Sequence, residues 1–242
     1  MTVHDLLKAV AVVSANDGAV ALAELVAGSE GGFVALMNQR AAELGMADTT
    51  FVNCTGLPAA GHLTSAHDIA LMSRELILNH PSIREYTTIW MDSLRDGAFQ
   101  LTNTNKLIRF YDGATGLKTG STDSALYCLS ATAERGGMEL IAVVLKSPTS
   151  QERFDTARSL LDYGFANYTL MDVYPDQALP PIDVLLGEED CVQPVLSASS
   201  RILVDKSQVN SVTSQINLCE NVEAPVEAGQ KLGEMVVMAD SQ

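Results

Sequence analysis

The sequence predicts an α+β protein that closes in a small, sandwich-like all-β domain, and three observations carry that prediction. The first third places apolar residues at helical spacing behind capping residues. The middle switches to β-prone runs on either side of Asp-Gly and Gly-Gly turns. Beyond Tyr168 prolines cluster (Pro175, Pro180, Pro181) and only short β-rich segments follow.

Taken in order, Thr2 and Asp5 form a Thr-x-x-Asp capping box, and Leu6, Leu7, Val10 and Val13 then recur on one helical face that ends near Ser14. Asn16 and Asp17 are placed to cap a second helix over Ala19 to Ala27, stopped by Gly28. A third helix is expected from Gly32 to Leu44 with Gly45 as its stop, followed by a short β-like stretch, Thr50 to Cys54. Gly56-Leu57-Pro58 through Gly61 is loop chemistry, and Ser65 with Asp68 opens a helix to about Leu78. Tyr86 to Trp90 and Ala98 to Thr102 are predicted strands around Arg95-Asp96-Gly97. Leu126 to Ala133 and Met138 to Leu145 are predicted as a second hairpin joined at Gly136-Gly137, and Gln151 to Tyr163 as a helix closing at Gly164. The tail segments Ile182 to Leu186, Cys191 to Leu196, Arg201 to Val204, Val209 to Leu218 and Glu234 to Met238 read as strands. Two domains follow, 1–168 and 169–242.

Charge narrows the function classes. The 242 residues carry 15 basic and 30 acidic side chains, for a net charge of −15, with aromatics at only 5%. Nucleic acid is disfavoured as a partner, because tracking phosphates takes clustered cations and stacking rings. Coating an anionic membrane is disfavoured for the same want of Lys and Arg. The longest aliphatic run, Leu140 to Leu145, falls far short of the ~18 residues of a membrane span. The tail holds 3 basic and 12 acidic residues and no aromatic after Tyr174, the composition of a spacer or support.

Metal and cofactor chemistry find no foothold. Cys54, Cys128, Cys191 and Cys219 lie far apart without a Cys-x-x-Cys. They read as buried free thiols, with Cys191 and Cys219 the one plausible disulfide. His4, His62, His67 and His80 show no ligand spacing, and Gly113-Ala114-Thr115-Gly116 matches no phosphate loop, so neither a metal nor a cofactor is expected.

Two short motifs remain, Ser14-Ala15-Asn16 at the end of the first helix and Lys118-Thr119-Gly120 ahead of the Leu126 strand. Alone, the first is explained by a helix junction capped by Asn16 and the second by a turn entering a strand. In this order they match two of the three elements of penicillin-recognising serine enzymes: Ser-x-x-Lys, Ser-x-Asn, Lys-Thr-Gly. The match extends to His62-Leu63-Thr64-Ser65-Ala66-His67-Asp68, Asn103-Thr104-Asn105-Lys106-Leu107, Gly116 to Thr122, Tyr163-Gly164-Phe165 and Ala224-Pro225-Val226.

On these residues the chain resembles the D-alanyl-D-alanine carboxypeptidases, the low-molecular-mass penicillin-binding proteins of serine peptidase type. The resemblance implies a β-lactamase/transpeptidase-like catalytic domain, incomplete at its N-terminal side, followed by a β domain. It implies acyl transfer, in which a serine attacks the penultimate D-alanine carbonyl of a peptidoglycan stem peptide and water then hydrolyses the acyl-enzyme. By that resemblance Ser14 relays a proton to the leaving nitrogen, the Asn16 amide holds the substrate's peptide carbonyl, and Lys118 supplies positive charge. Thr119 and Gly120 offer a strand edge to the peptide. The Ser121 N–H occupies an oxyanion-hole position. Arg153 sits where the family keeps a carboxylate-orienting base, although pairing with Glu152 or Asp155 on a helix face explains it equally well.

The departures are specific. No Ser-x-x-Lys occurs in these 242 residues, so the nucleophile and its lysine are missing from them and turnover by this chain alone is not expected. Leu126 stands where the family usually has Gly. The resemblance further implies β-lactams as inhibitors of a form carrying the nucleophile, an extracytoplasmic location in the cell envelope, and membrane association only through segments outside these residues. Neither a signal peptide nor an anchor is expected within these 242 residues. Two other readings stay open: a non-catalytic protein that binds cell-wall peptides or a partner, and a β-lactamase relative, which the extra β domain disfavours.

Overall fold

The computed structural model describes residues 1–239 apart from Asp176 and Ser199, so the end of the chain at Asp240, Ser241 and Gln242 lies outside the described residues. It divides into two compact units, Met1–Gly164 and Phe165–Gln242.

The first unit opens with α1 (Val3–Val13), held by the expected reciprocal Thr2/Asp5 capping box. Ala9 and Val12 of α1 are buried against Leu94 and Leu101, with Ile89 packed alongside. Next come α2 (Asn16–Ala27), ended by Gly28 at φ 75°, and α3 (Glu30–Glu43), which starts two residues earlier than expected because Ser29 Oγ accepts from Gly32 N at 3.1 Å. Neither Asn16 nor Asp17 caps α2 as expected; Asn16 is its first residue, preceded by Ala15 without a side-chain cap. The stretch from Thr50 to Cys54 forms only a single bridge, Thr50 to Leu63, since Asn38 takes the backbone of Phe51 from both sides.

Helix α4 (Ala66–Asn79) is capped by Ser65. The Asp68 carboxylate is buried and accepts from Asp48 N and Thr49 Oγ1 at 2.9 and 2.7 Å, which holds it below the usual carboxylate range. The predicted strand at Tyr86 to Trp90 is not one. Pro81 begins a 3-10 turn that continues into α5 (Arg84–Thr87), and the first strand of the hairpin starts five residues on, as β1 (Met91–Leu94), against β2 (Phe99–Thr102), which lies with its turn where expected. Arg84 reaches Glu134 at 3.3 Å and also pairs with Glu139, and Thr87 Oγ1 donates to Thr115 O at 2.7 Å; these tertiary ties override β propensity.

A short helix absent from the sequence expectation, α6 (Leu107–Phe110), leads to a three-stranded antiparallel sheet of β3 (Ala114–Thr122), β4 (Leu126–Arg135) and β5 (Met138–Ser147) in the order β3-β4-β5. The Gly136-Gly137 hairpin lies where expected. Helix α7 (Ser150–Asn167) runs through Gly164 rather than closing there, because that glycine passes so near β5 that an added Cβ would collide with Leu140 Cδ1. Ser73 of α4 meets Ser130 of β4 at 2.7 Å while α7 lies on Leu140, which is opposite Ala133. Ser130 and Ala133 point to opposite faces of the pleat, so the sheet is covered on both sides.

The second unit is β-rich as expected: β6 (Tyr168–Asp172), β7 (Ile182–Leu185), β8 (Cys191–Val192), β9 (Arg201–Asp205), β10 (Val212–Leu218), β11 (Asn221–Glu223) and β12 (Gly233–Ala239). They form the sheets β6-β9, β11-β7-β8 and β10-β12. Strands β6 and β11 escaped the sequence reading, and Val209 to Ser211 belongs to a 3-10 turn instead of a strand. All four cysteines are free; Cys191 and Cys219 are exposed and unbonded to each other, against both the buried-thiol and the disulfide expectation. Among the described residues no single helix is long and apolar enough to cross a membrane, and no cluster of three or more potential metal ligands occurs.

Candidate active site

The site gathers where α1 ends. Ser14 takes the left-handed conformation (φ 60°, ψ 44°), with its N–H bonded to Val10 O and that of Ala15 to Ala9 O. For a residue with a Cβ this conformation costs roughly 1–2 kcal/mol. It turns the chain sharply between α1 and α2, where Gly18 packs so close that a Cβ there would meet Val10 Cγ2 at 3.3 Å. Ser14 and Asn16 are thereby left exposed on the same corner.

Strand β3 carries the second motif. It pairs with β4 on one side only among the described residues, so its other edge is open to an extended peptide. Lys118 and Ser14, 104 positions apart in sequence, meet directly: the ammonium donates to Ser14 Oγ and to Thr119 O, the latter at 2.8 Å. Burial pushes the Lys118 pKa down to about 8, and the nearby Arg153 cation adds to the shift. A lysine so poised exchanges its proton near neutral pH and can support a proton relay through the serine hydroxyl. Thr119 is buried, Gly120 and Ser121 are exposed, and all three pair with β4.

Arg153 is not on an exposed helix face. It is buried, and its guanidinium donates to Gly120 O at 3.3 Å, Cys128 O at 3.2 Å and Ser150 Oγ at 3.2 Å, with its Nε unpartnered. The alternative pairing with Asp155 does not occur, since Asp155 is taken by Gln151 and Arg158. Burial lowers the Arg153 pKa, and the side chain stacks 4.5 Å from the Phe154 ring centroid and 5.5 Å from that of Tyr127. Two cations thus stand behind the open edge of β3 in an otherwise acidic chain.

Residues that carry no role in the sequence motifs hold α1 against β3. Asn103 and Asn105 are both buried. Asn103 Nδ2 donates to Thr87 O and Ile89 O, and its Oδ1 accepts from Asn105 N; Asn105 Nδ2 donates to Gly116 O at 2.9 Å. Between them Thr104 N donates to the α1 carbonyl of Val12 at 3.1 Å and Thr104 Oγ1 meets Thr119 Oγ1 at 2.6 Å. The alternation of amide residues around a threonine was the available signal.

Leu126, the departure noted in the sequence, sits at φ 53° where the chain turns from β3 into β4. A glycine is favoured there for its backbone freedom, so leucine at this turn bears a conformational cost.

Residues 1–149 match the family model described as D-alanyl-D-alanine carboxypeptidase, and residues 168–242 match penicillin-binding protein 5, C-terminal domain. The chain belongs to the D-alanyl-D-alanine carboxypeptidase family. It is 41% identical to D-alanyl-D-alanine carboxypeptidase DacF of Bacillus subtilis, over 100% of this chain and 63% of that protein. It is 34% identical to DacC of Escherichia coli, over 96% of this chain and 58% of that one. The chain therefore spans about three fifths of the length of these relatives. Among solved structures it is similar to penicillin-binding protein 5 from Haemophilus influenzae (TM-score 0.81, 29% identity, 100% of this chain and 71% of that chain). It is also similar to penicillin-binding protein D2 from Listeria monocytogenes, solved in an ampicillin-bound form (TM-score 0.63, 40% identity, 68% of each chain). Membership accounts for the α+β architecture, a penicillin-binding-protein fold followed by a β domain, and the match of the tail argues against the β-lactamase alternative.

Proposed function

We propose that this chain provides the Ser14-Asn16 and Lys118-Ser121 walls of a serine-type D-alanyl-D-alanine carboxypeptidase site, which removes the terminal D-alanine of peptidoglycan stem peptides in the cell envelope. The observation that carries the reading is the contact of Lys118 with Ser14, which brings together two motifs separated by 104 positions beside an open strand edge and supports their lining one groove. The extended peptide adds to β3, the Asn16 amide holds a peptide carbonyl, and Lys118 and Arg153 attract the terminal carboxylate. A serine Oγ from a Ser-x-x-Lys segment attacks the penultimate carbonyl. As the C–N bond breaks, the leaving amine takes its proton through Ser14 and Lys118, while the Ser121 N–H steadies the oxyanion. Water then releases the acyl group. β-Lactams enter by the same acylation, and residues 169–242 serve as a support.

Because the 242 residues contain no Ser-x-x-Lys, a second reading is favoured for the chain by itself: a binder of cell-wall peptides that is not acylated. A fluorescent penicillin separates the two. Covalent labelling of the gene's longest product, with none of the 242-residue chain, supports the carboxypeptidase. Absence of labelling in both, with stem-peptide binding retained in calorimetry, replaces it with the binder.

A further inference from the structure

Thr104 is exposed, whereas Asn103 and Asn105 on either side of it are buried and fully engaged with backbone groups of the Thr87 to Ile89 segment and of β3. Its backbone is fixed to α1 through Val12 O, and its hydroxyl lies 2.6 Å from that of Thr119, the middle residue of the Lys-Thr-Gly motif. A hydroxyl pair shares one hydrogen along the contact and keeps one to spend elsewhere. When an anion lies nearby, the arrangement in which the inner hydroxyl donates to the anion prevails, because hydrogen bonds to ionised acceptors are roughly twice as strong as neutral ones.

We infer that Thr104 is a positioning residue for the site proposed above: it donates its hydroxyl hydrogen to Thr119 Oγ1, so that the Thr119 hydroxyl is free to donate to the terminal carboxylate of a peptide lying along β3. Thr104 then sets how well the groove distinguishes a peptide acid from the corresponding peptide amide. This assignment rests on the carboxypeptidase reading of the groove. A threonine that merely pins α1 to β3 would affect both ligands equally, and the backbone bond to Val12 O already performs that task.

The test is calorimetry on the 242-residue chain with an N-acyl-D-alanyl-D-alanine acid and its C-terminal amide. The unchanged chain is expected to bind the acid more tightly. T104V keeps shape and backbone but removes the hydroxyl. It takes away the hydrogen bond that orients the Thr119 hydroxyl, and should weaken the acid by about fivefold, the scale of one neutral hydrogen bond, and leave the amide within about twofold. T104S should restore the preference, and T104V/T119V should be no worse than T119V alone, since one residue acts through the other. Thermal melting is followed for each variant, with T104A replacing T104V if the latter folds poorly. Retained discrimination in T104V, or an equal loss for both ligands, overturns the role of Thr104 while leaving the groove reading in place. No preference for the acid in the unchanged chain overturns the groove reading and this assignment with it.

Discussion

The two units use burial differently. In Met1–Gly164 polar side chains are taken inside: Asp68, Ser73, Asn103, Asn105, Thr119, Ser130, Thr132 and Arg153 are all buried, and each has partners. In Phe165–Gln242 the core among the described residues rests on Val173, Ile182 and Val204, the Oγ of half-buried Ser200 is enclosed without a partner, and β10 simply alternates half-buried with exposed positions. A satisfied polar network fixes side chains to one geometry at the risk of a large penalty if a partner is lost. An alternating strand needs only its pattern. The difference teaches what each pattern can fix: in the first unit the Asn103 to Asn105 segment ties α1 to β3 beside the proposed site, whereas alternation in the second needs only a sheet to pack.

The largest break in that comparison is expected from Lys118→Met. In a protein that also carries the Ser-x-x-Lys pair, penicillin acylation should fall by about 10²–10⁴, the range of a general acid–base group. The rate of labelling by a fluorescent penicillin reads this directly. The pH response sharpens the same point. Lys118 is cationic below about 8, so affinity for an anionic peptide should decline as pH rises through that value, and K118M should lose the dependence. Stability moves the other way. Between about 8 and the unperturbed 10.5 the unfolded chain holds the proton that the folded chain has released, so Lys118 contributes unfolding free energy that rises with pH in that window. For Asp68 the folded value is depressed, so its contribution is present above the unfolded 3.8 and is lost as pH falls through the folded value.

Cavity variants then set the units apart. Ile182→Ala in the second unit should cost about 2–4 kcal/mol in its unfolding transition and leave peptide affinity unchanged, because the residues proposed to line the groove all lie in Met1–Gly164. Val12→Ala should cost about 1–3 kcal/mol and also weaken the peptide, because the cavity loosens the end of α1, whose backbone carries Ser14 and holds Thr104. Denaturant melts and calorimetry on the two variants decide this. The smallest effect is expected from Leu126→Gly. Relief of a left-handed leucine, offset by glycine's entropy, should stabilise the first unit by at most about 1 kcal/mol, seen as a small rise in its melting midpoint.

Much of the helical part was legible because its punctuation is local. Thr2 with Asp5, Ser65, and the stops at Ser14 and Gly28 all do what their chemistry dictates. The hairpins at Asp96-Gly97 and Gly136-Gly137 were legible for the same reason. What escaped is decided by distant partners. Tyr86 to Trp90 has strand composition, yet Arg84 and Thr87 are committed to β3, β4 and β5 and keep it out of a sheet. Gly164 reads as a stop but is a contact with Leu140, and Asn16 reads as a cap but begins the helix. In the site, both motifs were legible and their adjacency was not a matter of pattern. Contacts such as those of Thr104, which reach Val12 and Thr119, accompany it, and a hydrogen bond across that separation leaves no periodic trace in sequence.

The central claim is that Ser14, Asn16 and Lys118 to Ser121 line one peptide groove. Backbone amide NMR of the 242-residue chain, titrated with an N-acyl-D-alanyl-D-alanine peptide, tests it residue by residue. The account predicts shifts concentrated at Ser14, Asn16, Thr104 and Lys118 to Ser121, with residues 165–242 silent. Shifts centred in the second unit, or saturation without any change at Ser14 and Lys118, would contradict it.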